Sequence, residues 1–82
     1  ELLIMKCITE CEEDEDVKVI YVDAGCKAKT RLANLGIIPG VKIIKRRSAP
    51  FKGPVEINVK GSNLVIGRGL AMKVYVDVNK EN

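Results

Sequence analysis

Residues 32–40 restrict the possible folds of this chain more than any other segment. They complete a helical pattern whose apolar positions are spaced four, four and three apart, at Ala24, Ala28, Leu32 and Leu35. Gly36 follows this stripe, at the position where a left-handed residue commonly ends a helix. Pro39 and Gly40 fit the central positions of a type II turn, because proline fixes φ at about −65° and glycine accepts positive φ. The segment therefore predicts a three-turn helix that ends at Gly36 and a tight turn into a strand.

Apolar residues that alternate with polar ones predict about five short strands. These strands are expected at residues 17–22, 41–47, 55–59, 64–66 and 74–78. On the first of them, the alternation places Val17, Val19 and Tyr21 on one face. Short helical turns are expected at residues 9–12, which match the Ser/Thr-x-x-Glu capping box, and at residues 67–72. Short strands with tight connections indicate a mainly β protein that forms a small barrel.

The length of 82 residues indicates a single domain over residues 1–82. We expect its core at about 8–78, an acidic loop at 12–16 and a polar tail at 79–82. Residues 1–26 contain two basic and eight acidic side chains, whereas residues 27–82 contain twelve basic and three acidic ones. The net charges of −6 and +9 predict a polarised surface that steers charged partners.

The sequence predicts a soluble, cytoplasmic protein without membrane insertion. The early apolar run at residues 2–5 is far shorter than the roughly 20 residues that a membrane-spanning helix needs. Three cysteines form an odd, widely spaced set, which is typical of free thiols in a reducing compartment.

The sequence does not predict an enzyme or a bound cofactor. Cys26 is the best candidate nucleophile, since a helix N-terminus lowers the pKa of a thiol, but the chain contains no histidine to act as its base. Cys7, Cys11 and Glu12 are weak candidates for a metal site. Three cysteines without histidine fall short of the four ligands that zinc and iron–sulfur sites usually take. Weak Fe²⁺ binding at these residues is therefore left as an alternative to simple packing of the two thiols.

A basic segment with an aromatic residue is the strongest candidate for partner binding. Its members are Lys45, Arg46, Arg47, Phe51 and Lys52. An exposed aromatic side chain among arginines is typical of an interaction hot spot. The alternative is that Phe51 folds under its own loop, as large apolar residues often do. Nucleic-acid binding is less favoured, because single-strand binders need stacked aromatics and here they are scattered.

Three segments resemble FeoA-type domains, the small cytosolic components of bacterial ferrous iron uptake. They are residues 31–43, 49–66 and 70–76, and the resemblance extends over about 8–78. The chain differs in a glycine-rich turn at 67–69 and a heavier acidic run at 12–16. The resemblance implies an SH3-like barrel that binds and modulates the cytosolic GTPase part of a FeoB-type transporter. A Fe²⁺-binding sensor or carrier is the alternative function, and a homodimer is a further possible assembly.

Overall fold

The computed structural model of the chain describes residues 4–78. The strands are β1 (Met5–Cys7), β2 (Glu15–Val22), β3 (Lys42–Ser48), β4 (Val55–Val59), β5 (Ser62–Ile66) and β6 (Val74–Asp77). The helices are α1 (Cys26–Asn34) and α2 (Arg68–Ala71), and a 3₁₀ turn spans Ile8–Glu10. The polar tail expected at 79–82 lies outside the described residues.

The strands form one antiparallel sheet with the order β1-β6-β2-β3-β4-β5. The prediction of a mainly β domain with one longer helix is confirmed, but the described residues contain six strands rather than about five. The additional strand is β1, which pairs Met5 with Asp77 and Cys7 with Tyr75. Its three residues are too few to produce an alternating pattern, so its position depends on pairing with β6.

The core consists of aliphatic side chains from the strands, α1 and the connecting segments. Val55, Ile57 and Val59 of β4 are buried, as the alternation predicts, and so are Val74 and Val76 of β6. Burial of one such side chain contributes about 1.5–3 kcal/mol relative to exposure. The sheet is therefore stabilised mainly by its inner face.

A β-bulge at Ile20 interrupts the alternation in β2. Val19 pairs with Val76, but the next pair along the ladder joins Tyr21 to Tyr75, so Ile20 is the extra residue. A bulge turns the following side chains to the opposite face. As a result Tyr21 is 50% exposed and Val22 is buried. The prediction that Tyr21 shares a face with Val19 is wrong for this reason.

The end of α1 is formed as the sequence predicts. The amide of Gly36 donates to the carbonyl of Ala33, and the amide of Ile37 donates to that of Leu32, both at 2.9 Å. These two bonds are those of a Schellman motif, and Gly36 has the required positive φ of 91°. The predicted apolar stripe is only partly buried, since Leu32 is fully enclosed but Leu35 is 38% exposed.

The predicted type II turn is also present. Val41 donates its amide to the carbonyl of Ile38, and Gly40 between them has a φ of 95°. The amide of Gly40 donates to the carbonyl of Val19 at 2.7 Å, and the amide of Val19 donates to that of Val41 at 2.8 Å. These bonds hold the turn against β2.

The acidic loop is shorter than the predicted range of 12–16. Strand β2 begins at Glu15, so the last two carboxylates of the predicted loop at 12–16 belong to a strand. The helical turn also begins earlier than the predicted capping box. The amide of Cys7 donates to the Glu10 side chain at 3.3 Å, which gives Glu10 the role expected of Glu12.

Candidate functional site

The β3–β4 loop holds Phe51 at its tip in a conformation unusual for this residue. Phe51 and Lys52 both have a φ of 59°, and the amide of Gly53 donates to the carbonyl of Pro50. This is the geometry of a type I′ turn, which asparagine and glycine usually form. A left-handed conformation costs a residue with a Cβ roughly 1–2 kcal/mol. Phe51 and Lys52 at the centre of the loop therefore adopt a conformation that is unfavourable for both of them.

The side chain of Phe51 is 98% exposed. The alternative in which it folds under its own loop is therefore wrong. The loop is closed beneath it by a bond from the amide of Ala49 to the carbonyl of Pro54 at 2.9 Å. A Cβ on Gly53 would come within 2.8 Å of the Cβ of Ala49, so this closure leaves no room for a larger residue. The aromatic ring is held outward by a compact loop.

A second bulge places two consecutive arginines on the surface next to this loop. The β3–β4 register shifts between Lys45 and Arg47, which makes Arg46 the extra residue. The guanidinium of Arg46 lies 3.1 Å from the carboxylate of Asp14, and that of Arg47 lies 3.5 Å from Glu56. Surface ion pairs of this kind contribute about 0–1 kcal/mol, so a partner can displace them at little cost.

Four of the predicted partner-binding residues therefore share a solvent-accessible region. We call them the basic ridge: Arg46, Arg47, Phe51 and Lys52. The basic ridge thus combines a free aromatic ring with a lysine and with two arginines whose ion pairs are at the surface, which are residue types typical of an interaction hot spot.

Lys45 does not belong to the basic ridge, and its predicted exposure is wrong. It is 5% exposed, because the alternation in β3 directs it inward beside Ile43. Its ammonium donates to the carbonyls of Thr9 at 3.2 Å and Cys11 at 2.6 Å. A buried charge without hydrogen bonds would be strongly destabilising, so these carbonyls replace its hydration. Lys45 fastens residues 9–11 to β3.

The weak metal candidates are arranged as parts of the fold. The Cys7 thiol lies 3.1 Å from the hydroxyl of Thr9, and the Cys11 thiol donates to the carbonyl of Cys7 at 3.7 Å. Burial, and to a lesser extent the charge of Glu15, raise the pKa of the Cys11 thiol to about 11. A protonated thiol is a poor metal ligand. In residues 4–78 no three Cys, Asp or Glu side chains are grouped as a metal site would require. Weak Fe²⁺ binding stays a prediction, which anaerobic titration of Cys7→Ser would test.

Cys26, the candidate nucleophile, is exposed at the first position of α1. Within the described residues it has no hydrogen-bond partner that could act as a base. That the domain is not an enzyme remains a prediction. None of the helices in residues 4–78 has the length and apolar character needed to cross a bilayer.

The sequence did not reveal a groove that borders α1. Tyr21, Ile37, Ile38 and Pro39 line it together with the helix residues Lys29 and Ala33. The outward position of Tyr21 depends on the bulge at Ile20, which no local pattern marks.

A six-stranded antiparallel sheet, with the helix α1 between β2 and β3 of the chain, defines a small SH3-like β domain. Related structures confirm this class. The model of the FeoA domain family matches residues 6–78, and the chain belongs to this family.

Individual relatives agree with this assignment. A protein of Methanocaldococcus jannaschii named "Putative Fe(2+) transport protein A" is 48% identical over 68 residues, which cover 80% of this chain and 78% of the relative. A crystal structure of an iron uptake regulatory protein, FeoA, has a TM-score of 0.84 at 31% identity and covers 90% of this chain and 97% of its own. The FeoA-like protein of Clostridium acetobutylicum has a TM-score of 0.83 at 25% identity, and the match covers 99% of this chain and 94% of that protein's chain.

Proposed function

We propose that this domain is a cytoplasmic accessory protein of ferrous iron uptake. In this proposal it binds the cytosolic GTPase part of a FeoB-type transporter and modulates transport, without catalysing a reaction itself. Membership of the FeoA family and the relative named for Fe(2+) transport support the role in iron uptake. The basic ridge supports the role in partner binding.

The observation that carries the proposal is the 98% exposure of Phe51 in a left-handed turn. The turn gains nothing from phenylalanine, since asparagine or glycine would relieve its conformational cost. Burial of the ring against a partner would contribute about 1.5–3 kcal/mol of binding free energy. Arg46, Arg47 and Lys52 would then meet carboxylates around that apolar contact and accelerate association at low salt.

A titration with the isolated cytosolic domain of the transporter tests the proposal. We expect association in the micromolar range at low salt, and affinity that falls as salt is raised. Phe51→Asn keeps the left-handed turn but removes the ring, and we expect it to weaken binding at least tenfold. Arg46→Glu should do the same, whereas Lys27→Glu makes an equal charge change on α1, away from the basic ridge.

Two results would contradict the proposal. One is the absence of association at tens of micromolar and low salt. The other is equal binding by the native chain and Phe51→Asn. Modulation is measured as a change in the rate of GTP hydrolysis by the transporter domain, and sedimentation of the free chain tests the homodimer.

A further inference from the structure

An apolar groove of about 220 Å³ runs between α1 and the segment that follows it. Val22 and Ile37 are its buried lining residues. Tyr21 and Ile38 also line it, and their side chains are 50% and 47% exposed. The groove is smaller than the roughly 300–1,000 Å³ of pockets for drug-sized ligands. Its size suits one or two protein side chains better than a cofactor.

Three backbone features build this groove. The bulge at Ile20 turns Tyr21 outward, and the Schellman motif at Gly36 brings Ile37 inward. The type II turn then places Ile38 and Pro39 along the groove. Because each feature is fixed by main-chain hydrogen bonds or strand register, the exposed apolar surface is preformed.

Five of the seven residues that line the groove belong to the most basic stretch of the sequence. Residues 24–55 contain eight basic side chains and no acidic one. Three of the basic residues, Lys27, Lys29 and Arg31, belong to α1. Lys29 is four residues before Ala33, so the two share a helix face, and both line the groove. Within residues 4–78, Lys29 forms no ion pair. The ammonium of Lys29, unpaired among the described residues, thus lies beside the apolar groove.

We propose that this groove is the docking site for a short acidic segment of a partner protein. A leucine or phenylalanine of that segment enters between Tyr21 and Ile38, and a neighbouring carboxylate pairs with Lys29. The groove shares no residue with the basic ridge, so this inference goes beyond the proposed function. It holds whether or not the ridge binds a transporter.

Charge disfavours the other occupants. Phe51 is the most exposed large apolar side chain of residues 4–78, and a second copy that inserted it would bring Arg46, Arg47 and Lys52 toward Lys29. A nucleic acid needs a row of cations along its backbone and several stacking rings. The groove lining offers one lysine and one tyrosine.

The test uses a fluorescein-labelled synthetic peptide built from glutamate and leucine, and it follows anisotropy and amide chemical shifts. We expect saturable binding, with the largest shifts at residues 21–22, 29–33 and 37–39. A peptide with lysine in place of glutamate, and one with serine in place of leucine, should each bind at least tenfold more weakly.

Two matched variants locate the site. Lys29→Glu should weaken peptide binding at least tenfold. Lys27→Glu makes the same charge change two positions away, which is about 200° around the helix, and it should change binding less than threefold. Ala33→Glu places a charged side chain in the groove and should also abolish binding. Amide spectra of all three variants verify that they fold.

Four results would overturn the proposal. They are no saturable binding at millimolar peptide, equal effects of Lys29→Glu and Lys27→Glu, shifts confined to the basic ridge, and displacement of the peptide by a single-stranded oligonucleotide. Self-association of the free chain that is lost in Ala33→Glu would assign the groove to a second copy and overturn it as well.

Discussion

The ammonium of Lys45 donates a hydrogen bond of 2.6 Å to the main-chain carbonyl of Cys11, 34 residues earlier in the chain. A second bond reaches the carbonyl of Thr9 at 3.2 Å. The strand β3 thereby holds the segment between the 3₁₀ turn and β2. A charged side chain performs a structural task here that its sequence context does not indicate.

Lys45→Met should lower the free energy of unfolding by about 2–4 kcal/mol. The change keeps most of the side-chain volume but leaves two carbonyls without their donor. Arg46→Met, at the adjacent exposed position, is the control and should change stability by less than about 0.5 kcal/mol. Urea denaturation of both variants measures the difference. Equal stability of the two variants would show that the buried ammonium contributes nothing.

Replacement of Phe51 and Lys52 together by asparagine and glycine should stabilise the domain by about 1–2 kcal/mol. This pair is the preferred occupant of a type I′ turn, because asparagine tolerates the left-handed conformation better than phenylalanine and glycine carries no penalty there. The same variant should lose partner binding, because the aromatic ring is gone. Thermal unfolding and the transporter titration measure the two effects. A variant that is less stable would indicate that the native side chains support the loop.

Stability should fall at alkaline pH because of Cys11. The pKa of its thiol is about 11 in the folded chain, compared with the ordinary value of 9.0 that applies to the unfolded chain. The folded state therefore retains the proton to a higher pH than the unfolded state does. The stability that comes from this protonated thiol is complete below pH 9 and is lost between pH 9 and 11. The loss amounts to roughly 2–3 kcal/mol.

The measurement is urea denaturation from pH 7 to 10.5 of the native chain and of Cys11→Ser, whose hydroxyl does not titrate in this range. Other groups titrate equally in both proteins, so the difference between the two pH profiles of the free energy of unfolding isolates the contribution of the thiol. Parallel pH profiles would contradict the prediction.

Alanine at two glycines should have opposite effects on stability. Gly36→Ala places a Cβ at a φ of 91° and 3.3 Å from a methyl group of Val59, so we expect a loss of about 1–2 kcal/mol. Gly69→Ala lies inside α2, where a Cβ meets no atom within 4 Å, so we expect a gain of about 0.5–1 kcal/mol. Midpoints of urea denaturation give both values. A stabilised Gly36→Ala would argue against the Schellman motif.

Features governed by local rules could be predicted from the sequence. Gly36 ends the helix, and Pro39 and Gly40 form the turn, because these conformations depend on the residues themselves. The alternation in β4 and β6 was reliable for the same reason.

Features set by the partner strand could not be predicted. The bulges at Ile20 and Arg46 depend on strand register, and they decide that Tyr21 is exposed and that Arg46 and Arg47 both face solvent. Lys45 is buried because backbone carbonyls from a distant turn are available to its ammonium. The candidate site was therefore predicted in its residue types and only partly in its geometry.

The pairing of β1 with β6 has a consequence for synthesis on the ribosome. β6 lies between β1 and β2 in the sheet, so until residues 74–77 have emerged β1 has no partner strand and β2 can pair only with β3. The nascent chain can form the β3–β4–β5 hairpins earlier, since their pairs are close in sequence. Completion of the sheet thus waits for β6, and until then the unpaired edge of β2 is open to chaperones and to other nascent chains.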